Sequence, residues 1–222
     1  MRVSEDTPSS TTEITTAVSI IANGGLVAFP TDTLYALGSH PLIESAIDRI
    51  FKTKGRSYDS PLPLLIGSIE ELELVASNVP ELAWKLAEAF WPGALTLILP
   101  KSGYVSDAIT RGKNSVAVRI PNHPMALELL RSSRTPLTGT SANKSGGPEP
   151  VTAAETYHLL GKEVDLILDG GTCPIKQSST ILDISGEYPK ILREGAITSS
   201  KLAMVCPEIN VQSVGQARGK DR

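Results

Sequence analysis

The sequence predicts a mixed α/β (α+β) domain, a twisted, open, mixed sheet with packed helices. Three observations point there. Helical 3.6-residue periodicity and short β-branched runs follow one another along the chain. Neither a tandem repeat nor a long linker interrupts them. At 222 residues, 41% hydrophobic and 20% charged, the chain can bury one ample core without a disulfide or metal staple. A single domain is drawn over residues 12–205, with polar tails at 1–11 and 206–222.

Ile14, Val18 and Ile21 stand at i, i+4 and i+7, the stripe of a first helix that Gly24 and Gly25 stop. A strand at "LVAF" runs into Pro30. Ile43, Ile47, Ile50 and Phe51 mark a second helix ending near Gly55, with Lys52 and Lys54 in its last turn, where cations suit the helix dipole. "PLPLLI" (61–66) reads as a strand near a sheet edge, because Pro63 has no N–H for a ladder. Ser68 and Glu71 have capping-box spacing for the next helix, and residues 80–90 form another. "LTLIL" is a strand, 101–114 an irregular loop, "SVAVRI" (115–120) a strand, and 124–131 a helix. "PLTGT" (136–140) is a short strand leading into "SANKSGGPEP", after which Thr152 and Glu155 make a second capping box for a helix through Leu160. "DLILD", "STILDI" and "KILR" complete the strands.

The charge balance, 21 Lys+Arg against 24 Asp+Glu for a net −3, supplies no global positive field to hold nucleic acid by counterion release, and leaves only a local basic patch. Cys173 and Cys206 are too few for a disulfide framework and form no CxxC pair, which fits a reducing compartment. The start "MRVSEDTPSSTTE" is not a signal peptide, and no apolar run approaches the roughly 18 residues of a membrane span. The chain reads as soluble and cytoplasmic, with no membrane segment.

The polar residues of interest gather at strand ends, where open sheets bind ligands. Lys52, Lys54 and Arg56 flank Gly55 and suit a polyphosphate, or else the solvated end of a helix. In "SVAVRI", Val116, Val118 and Ile120 share one face and Ser115, Ala117 and Arg119 the other. Arg119 thus faces away from the core, with open access for a carboxylate or phosphate, or as a plain exposed strand residue. "GTSANKSGG" (139–147) offers hydroxyls, an amide and flexible N–H groups to wrap phosphate, sugar or base; a plain Gly/Ser loop is the other reading. It fails the Walker A pattern, since Asn143 precedes Lys144. In "PTDT", Thr31 and Thr33 point one way and Asp32 the other if the segment is extended, suiting a small polar ligand; a turn is the alternative. His40, His123 and His158 are scattered outside any nucleophile motif, Cys173 reads as a small packed residue, and no His/Cys metal site is expected.

In order and spacing these segments resemble the YrdC-like family of L-threonylcarbamoyladenylate synthases. The family's "PT(E/D)T.Y.LG" stands here as "PTDTLYALG", its "K.R" as "KGR", its "VAVR.P" intact, its "S.N" as "TSANKSGGP", and its "ST(V/I)(V/L)D" and "(L/I)R.G" as "SSTILD" and "LREG". The resemblance covers about residues 14–204. It implies a YrdC-like fold and a nucleotidyltransferase: threonine and bicarbonate or CO2 become a carbamate, which attacks the α-phosphate of ATP. Pyrophosphate leaves, and the threonylcarbamoyl-AMP feeds tRNA-modification proteins that make N6-threonylcarbamoyladenosine.

By matched position, the resemblance gives Lys54 and Arg56 catalytic roles on the phosphates. Lys52, Ser60, Ser115, Ser141, Asn143 and Arg193 would join them in binding ATP, with Mg²⁺ carried by phosphate oxygens and water and no protein metal site. Arg119 would pair with the threonine carboxylate in a pocket completed by Thr31, Thr33, Tyr35, Gly139 and Ser179. The chain departs from the family pattern at Leu65 for a His, at Ser60 for an Asn and at Ala36 for a Gly, so a changed contact to threonine is an expectation. So is the single-domain branch, because the chain stops soon after these segments. Two other readings stay open: an RNA-binding module of the same fold, which leaves direct tRNA contact undecided, and a paralogous carbamoyl-adenylate enzyme with another substrate.

Overall fold

A computed structural model describes residues 11–209; the tail readings at 1–10 and 210–222 lie outside them. Helix α1 (Thr11–Ala22) buries Ile14, Ala17 and Ile21. It stops where the predicted cap stands: Gly24 takes φ +80°, its N–H reaching Ile21 O at 3.0 Å, and Gly25 N–H donates to Ile20 O at 2.8 Å. Strands β1 (Val27–Pro30) and β2 (Tyr35–Gly38) form an antiparallel hairpin. Helix α2 (Glu44–Lys54) buries Ile47, Ile50 and Phe51 and is capped by Gly55 at φ +57°. Then come β3 (Leu64–Leu65), a 3₁₀ turn at Ile69–Glu71, α3 (Leu72–Val75), α4 (Glu81–Phe90) and β4 (Leu95–Pro100). The stretch expected as irregular loop holds the short helix α5 (Asp107–Thr110). The chain continues through β5 (Ser115–Arg119), α6 (Pro124–Ser133), β6 (Leu137–Thr138), β7 (Thr140–Ser141), α7 (Ala153–Leu160), β8 (Leu166–Ile167), β9 (Thr180–Asp183), β10 (Lys190–Arg193) and α8 (Ser199–Ala203).

The mixed α/β class holds, but among the described residues the strands make two sheets. One runs β7-β2-β1-β8, the other β10-β9-β4-β5-β3-β6. Each is mixed: β1 pairs parallel with β8, and β3 with β5 and β4 with β9, while the remaining neighbours are antiparallel. The predicted strand "PLTGT" is divided between them. Its first half, β6, pairs with β3 in the larger sheet and its second, β7, with β2 in the smaller, so the chain changes sheets at Gly139. That joint is tight, since a Cβ on Gly139 would collide with Leu65 Cγ.

β3 lies next to the edge, between β5 and the edge strand β6; Pro63 precedes the strand, so its missing N–H costs no ladder bond, and its carbonyl accepts from Gly139 N–H at 2.9 Å. Two local expectations are corrected. Ser68 does cap the 3₁₀ turn by position, but its hydroxyl bonds the Glu70 carboxylate and no capping box with Glu71 forms. The box of Thr152 and Glu155 does form, each N–H to the other's side chain at 3.2 Å. Cys206 and Ile209, assigned to the C-terminal tail, are buried in the core, so packing extends past residue 205. A smaller apolar cluster around Ile14, Ile21, Phe29, Met125 and Leu129 seals α1 and α6 to the outer side of β1.

Candidate functional site

A cavity of about 430 Å³ has walls from both sheets, with β2 and β7 on one side and β3, β4, β5, β9 and β10 on the other. Each of the matched motifs contributes to it, through Thr31, Thr33 and Tyr35, then Arg56, Ser115 and Arg119, Gly139 and Ser141, Ser179 and Arg193.

Arg119 ends β5 and is buried, at 6% exposure. Its alternation away from Val116 and Val118 was read correctly, but that face meets the second sheet and not solvent. Nε donates to Gly93 O at 2.8 Å, Nη1 to Thr33 Oγ1 at 2.8 Å, and Nη2 to Asp32 Oδ1 at 2.5 Å. Burial opposes its charge and lowers its pKa, while the Asp32 carboxylate works the other way. Asp32 Oδ1 also accepts Asn122 N–H at 2.9 Å; Oδ2 is buried with no hydrogen-bond partner among the described residues.

The "PTDT" segment is a turn and a polar pair at once. Thr31 Oγ1 donates to Leu34 O at 2.7 Å, accepts the N–H groups of Thr33 and Leu34 at 3.2 Å, and lies 3.0 Å from Thr33 Oγ1. Because the backbone turns here, Thr33 and Asp32 do not diverge as an extended strand would require. They converge on one guanidinium.

Opposite stand Thr96 and Ser179, their hydroxyls 2.8 Å apart and buried. Arg193 clasps the same residue, Nε and Nη2 donating to Ser179 O at 3.1 and 2.9 Å. Thr96 was not singled out in the sequence. Its signal was there, a hydroxyl on the face of "LTLIL" opposite Leu95 and Leu97. Tyr35 offers its ring only: its hydroxyl donates to Gly171 O at 2.9 Å, and burial pushes its pKa above the usual phenol range. Leu65 lines the wall beside Gly139.

The cavity wall also carries cations. Arg56, Lys113 and Arg193 line it, with Glu149 and Asp183 as the acidic members. Arg56 is aimed by its own loop, Nη2 donating to Pro61 O at 2.9 Å. Lys113 and Glu149 carried no motif or periodicity that separated them from ordinary surface residues, and Ser178 and Asp183 lay inside the matched "SSTILD" without being singled out.

Lys52, Lys54, Ser60 and Asn143 are absent from this wall. Lys52 is exposed on α2, and Ser60 sits behind Arg56 as a backbone acceptor at 3.4 Å. Lys54 is buried, and its ammonium donates to Ser141 O at 2.5 Å, Asn143 O at 2.7 Å and Asn143 Oδ1 at 3.1 Å. Burial, and after it the Arg56 charge, lower its pKa to about 8. Asn143 is likewise turned inward, accepting from Ser141 Oγ at 2.7 Å and donating to Gly147 O at 2.8 Å. Lys54 and Asn143 thus hold the loop that presents Ser141, and the 139–147 segment is a structured clasp and not a slack Gly/Ser loop.

Cys173 is buried below this site with its thiol pushed up to about 11 by burial, which keeps it protonated and unreactive. Among the described residues no group of three or more His, Cys, Asp and Glu is placed to hold a metal, and no helix is long and apolar enough to cross a membrane.

Comparison with known proteins accounts for the arrangement. A threonylcarbamoyl-AMP synthase of Pyrococcus abyssi is 42% identical over 209 residues, covering 94% of this chain and 62% of that protein. The threonylcarbamoyl-AMP synthase of Bacillus subtilis is 39% identical over 210 residues, 94% and 61% respectively, so the chain spans about three fifths of these curated relatives. The crystal structure of P. abyssi Sua5 complexed with L-threonine superposes with a TM-score of 0.86 at 43% identity, over 89% of this chain and 59% of that one. Residues 19–195 match the family model for Sua5, YciO and YrdC proteins, described as telomere recombination. With its motifs converging on one cavity and the match running through nearly every element that builds it, the chain belongs to the Sua5/YciO/YrdC family.

Proposed function

We propose that the chain makes L-threonylcarbamoyl-AMP from L-threonine, bicarbonate or CO2, and ATP taken as its Mg²⁺ complex. The observation that carries this reading is the lining of one cavity, where the cations Arg56, Lys113 and Arg193 accompany a buried guanidinium bonded to Thr33 and faced by further hydroxyls. The relatives' name, threonylcarbamoyl-AMP synthase, and the L-threonine of the similar Sua5 structure supply the chemistry that fits.

Three of the five N–H groups of the Arg119 guanidinium are engaged inside the protein, which leaves two for the threonine carboxylate. Thr33 and Ser179 set the hydroxyl edge of that pocket. The amine adds to bicarbonate, losing water to give a carbamate; a carbamate oxygen forms a bond to the α-phosphorus and the bond to pyrophosphate breaks. Arg56, Lys113 and Arg193 stabilise charge on the departing pyrophosphate, and Ser115 and Ser141 bind the nucleotide. No covalent intermediate with the protein is needed, because positioning and electrostatics suffice. The product is an activated acyl donor, consumed by proteins that transfer the threonylcarbamoyl group to tRNA.

The test is pyrophosphate release from Mg²⁺–ATP. Release that requires threonine and bicarbonate together supports the proposal. Release without threonine, or at the same rate with valine or serine, overturns it and favours a relative acting on another substrate.

A further inference from the structure

Outside the cavity, one cluster has no part in the chemistry above. Phe51, buried at the end of α2, stacks against Tyr58 with ring centroids 4.9 Å apart and planes 13° from parallel. The Arg111 guanidinium carbon lies 4.0 Å from the Phe51 centroid and 5.3 Å from that of Tyr58, so the three groups form one triangle. Nε and Nη2 of Arg111 are buried with no hydrogen-bond partner among the described residues. A weakly hydrated guanidinium tolerates this where ring faces replace water. Its backbone stands at φ +55°, a conformation unfavourable for a residue with a Cβ, and it caps α5 through its N–H to Asp107 O at 2.7 Å.

What the cluster holds is the loop bearing Arg56. Tyr58 is half exposed, and its ring is held against Phe51 and the Arg111 guanidinium. Four residues on, the loop is tied to α5 again, Leu62 N–H donating to Ile109 O at 2.9 Å. Between these anchors lie the carbonyls of Ser60 and Pro61, the acceptors that aim the Arg56 guanidinium into the cavity. On the other side of Arg111, Gly112 at φ +77° reverses the chain and Lys113 enters the same cavity wall.

We propose that Arg111, seated against Phe51 and Tyr58, is a positioning residue that sets Arg56 and Lys113 together on the nucleotide end of the cavity. It touches no reacting atom. It sorts its effect by substrate, because Arg119, Thr33 and Ser179 are held by bonds that do not pass through the 55–62 loop. The proposal rests on the reading of that end as the ATP site.

The experiment compares wild type with Arg111→Gln, Arg111→Lys and Tyr58→Ala, measuring ATP Kd by calorimetry and, in turnover, KM for ATP and threonine separately. Arg111→Gln and Tyr58→Ala are expected to weaken ATP binding about tenfold, equivalent to ~1.4 kcal/mol, with threonine KM within about twofold and a native circular dichroism spectrum. Arg111→Lys, which keeps the cation over the rings, recovers most of that loss. An unchanged ATP Kd in both Arg111→Gln and Tyr58→Ala, or an equal rise in threonine KM, overturns the proposal. Wild type that binds ATP but shows no threonine-dependent turnover refutes the synthase reading alone, and the Kd comparison still decides the role of Arg111. Wild type that fails to bind ATP refutes both.

Discussion

The Arg119–Asp32 pair shows how the site is made stable before any ligand arrives. Both groups are nearly out of water, at 6% and 3% exposure, and each has the other as its charged partner. Asp32→Ala strands a guanidinium in a desolvated cavity floor, so a loss of about 3–5 kcal/mol is expected in urea denaturation, together with weaker threonine binding. A loss under about 1 kcal/mol would mean water reaches Arg119 in place of the carboxylate. Strand alternation identified Arg119, but not its partner, because Asp32 is 87 positions away and turns back through hydrogen bonds made by Thr31. Sequence spacing reports faces of elements; it says little about a polar turn that meets them from the other sheet.

Lys54 supplies a pH test at the same scale. Its amine loses the proton at about 8 in the folded chain, against an ordinary 10.5. Below pH 8 folded and unfolded chains are both protonated there and the cost of burying the charge is fully present. Between pH 8 and 10.5 the unfolded chain holds a proton that the folded one lacks, so this residue's contribution to stability rises with pH through that window. The difference in urea midpoint between wild type and Lys54→Met should therefore change across pH 8–10.5. Parallel curves would return Lys54 to an ordinary amine. Read from "KTKGR" alone, Lys54 suited either a polyphosphate or a solvated helix end; its burial follows from a loop residue 87 positions later, Ser141, and is invisible in local charge.

Among the elements, the long amphipathic helices α1, α2, α4 and α6 and the strands β4 and β5 follow from periodicity, as does the capping box of α7. The two-residue strands β3, β6, β7 and β8 were blurred into longer runs or misplaced, since two residues are too few to show a period. The two boxes now separate in a predictable way. Thr152→Ala should cost about 1 kcal/mol, and Ser68→Ala only a few tenths, since Ser68 completes no box. The joint between β6 and β7 is more demanding. Gly139→Ala drives a methyl into Leu65 and should cost about 1–3 kcal/mol, a loss that Leu65→Ala in the same chain partly reverses because the clashing atoms are then gone. Equal stability of the single and double variants would show that the backbone yields instead of the side chain.

At the scale of the whole molecule, the net charge of −3 conceals a cavity lined by Arg56, Lys113, Arg119 and Arg193. Composition averages over a surface, and a site is a local departure from that average. The fold class was legible because class depends on which elements alternate; the division into two sheets was not, because it turns on a change of partner at one glycine. Since the cavity exists only where the sheets face each other, a ligand that spans it should stabilise both. ATP alone at about a hundred times its Kd is expected to add ~2.7 kcal/mol in thermal unfolding, and stabilisation by neither substrate would count against the site.

The pairing of β9 with β4 has a consequence for the order of synthesis. β4 leaves the ribosome with β5 close behind, but its other edge is met only by residues 180–183, and the last cavity cation, Arg193, arrives on β10 after that. Through that interval the nascent chain carries an uncovered apolar edge, "LTLIL", able to pair with a neighbour's strand. The newly made protein is therefore most exposed to misassembly just before its site is completed, and slower translation ahead of residue 180 would lengthen that exposure.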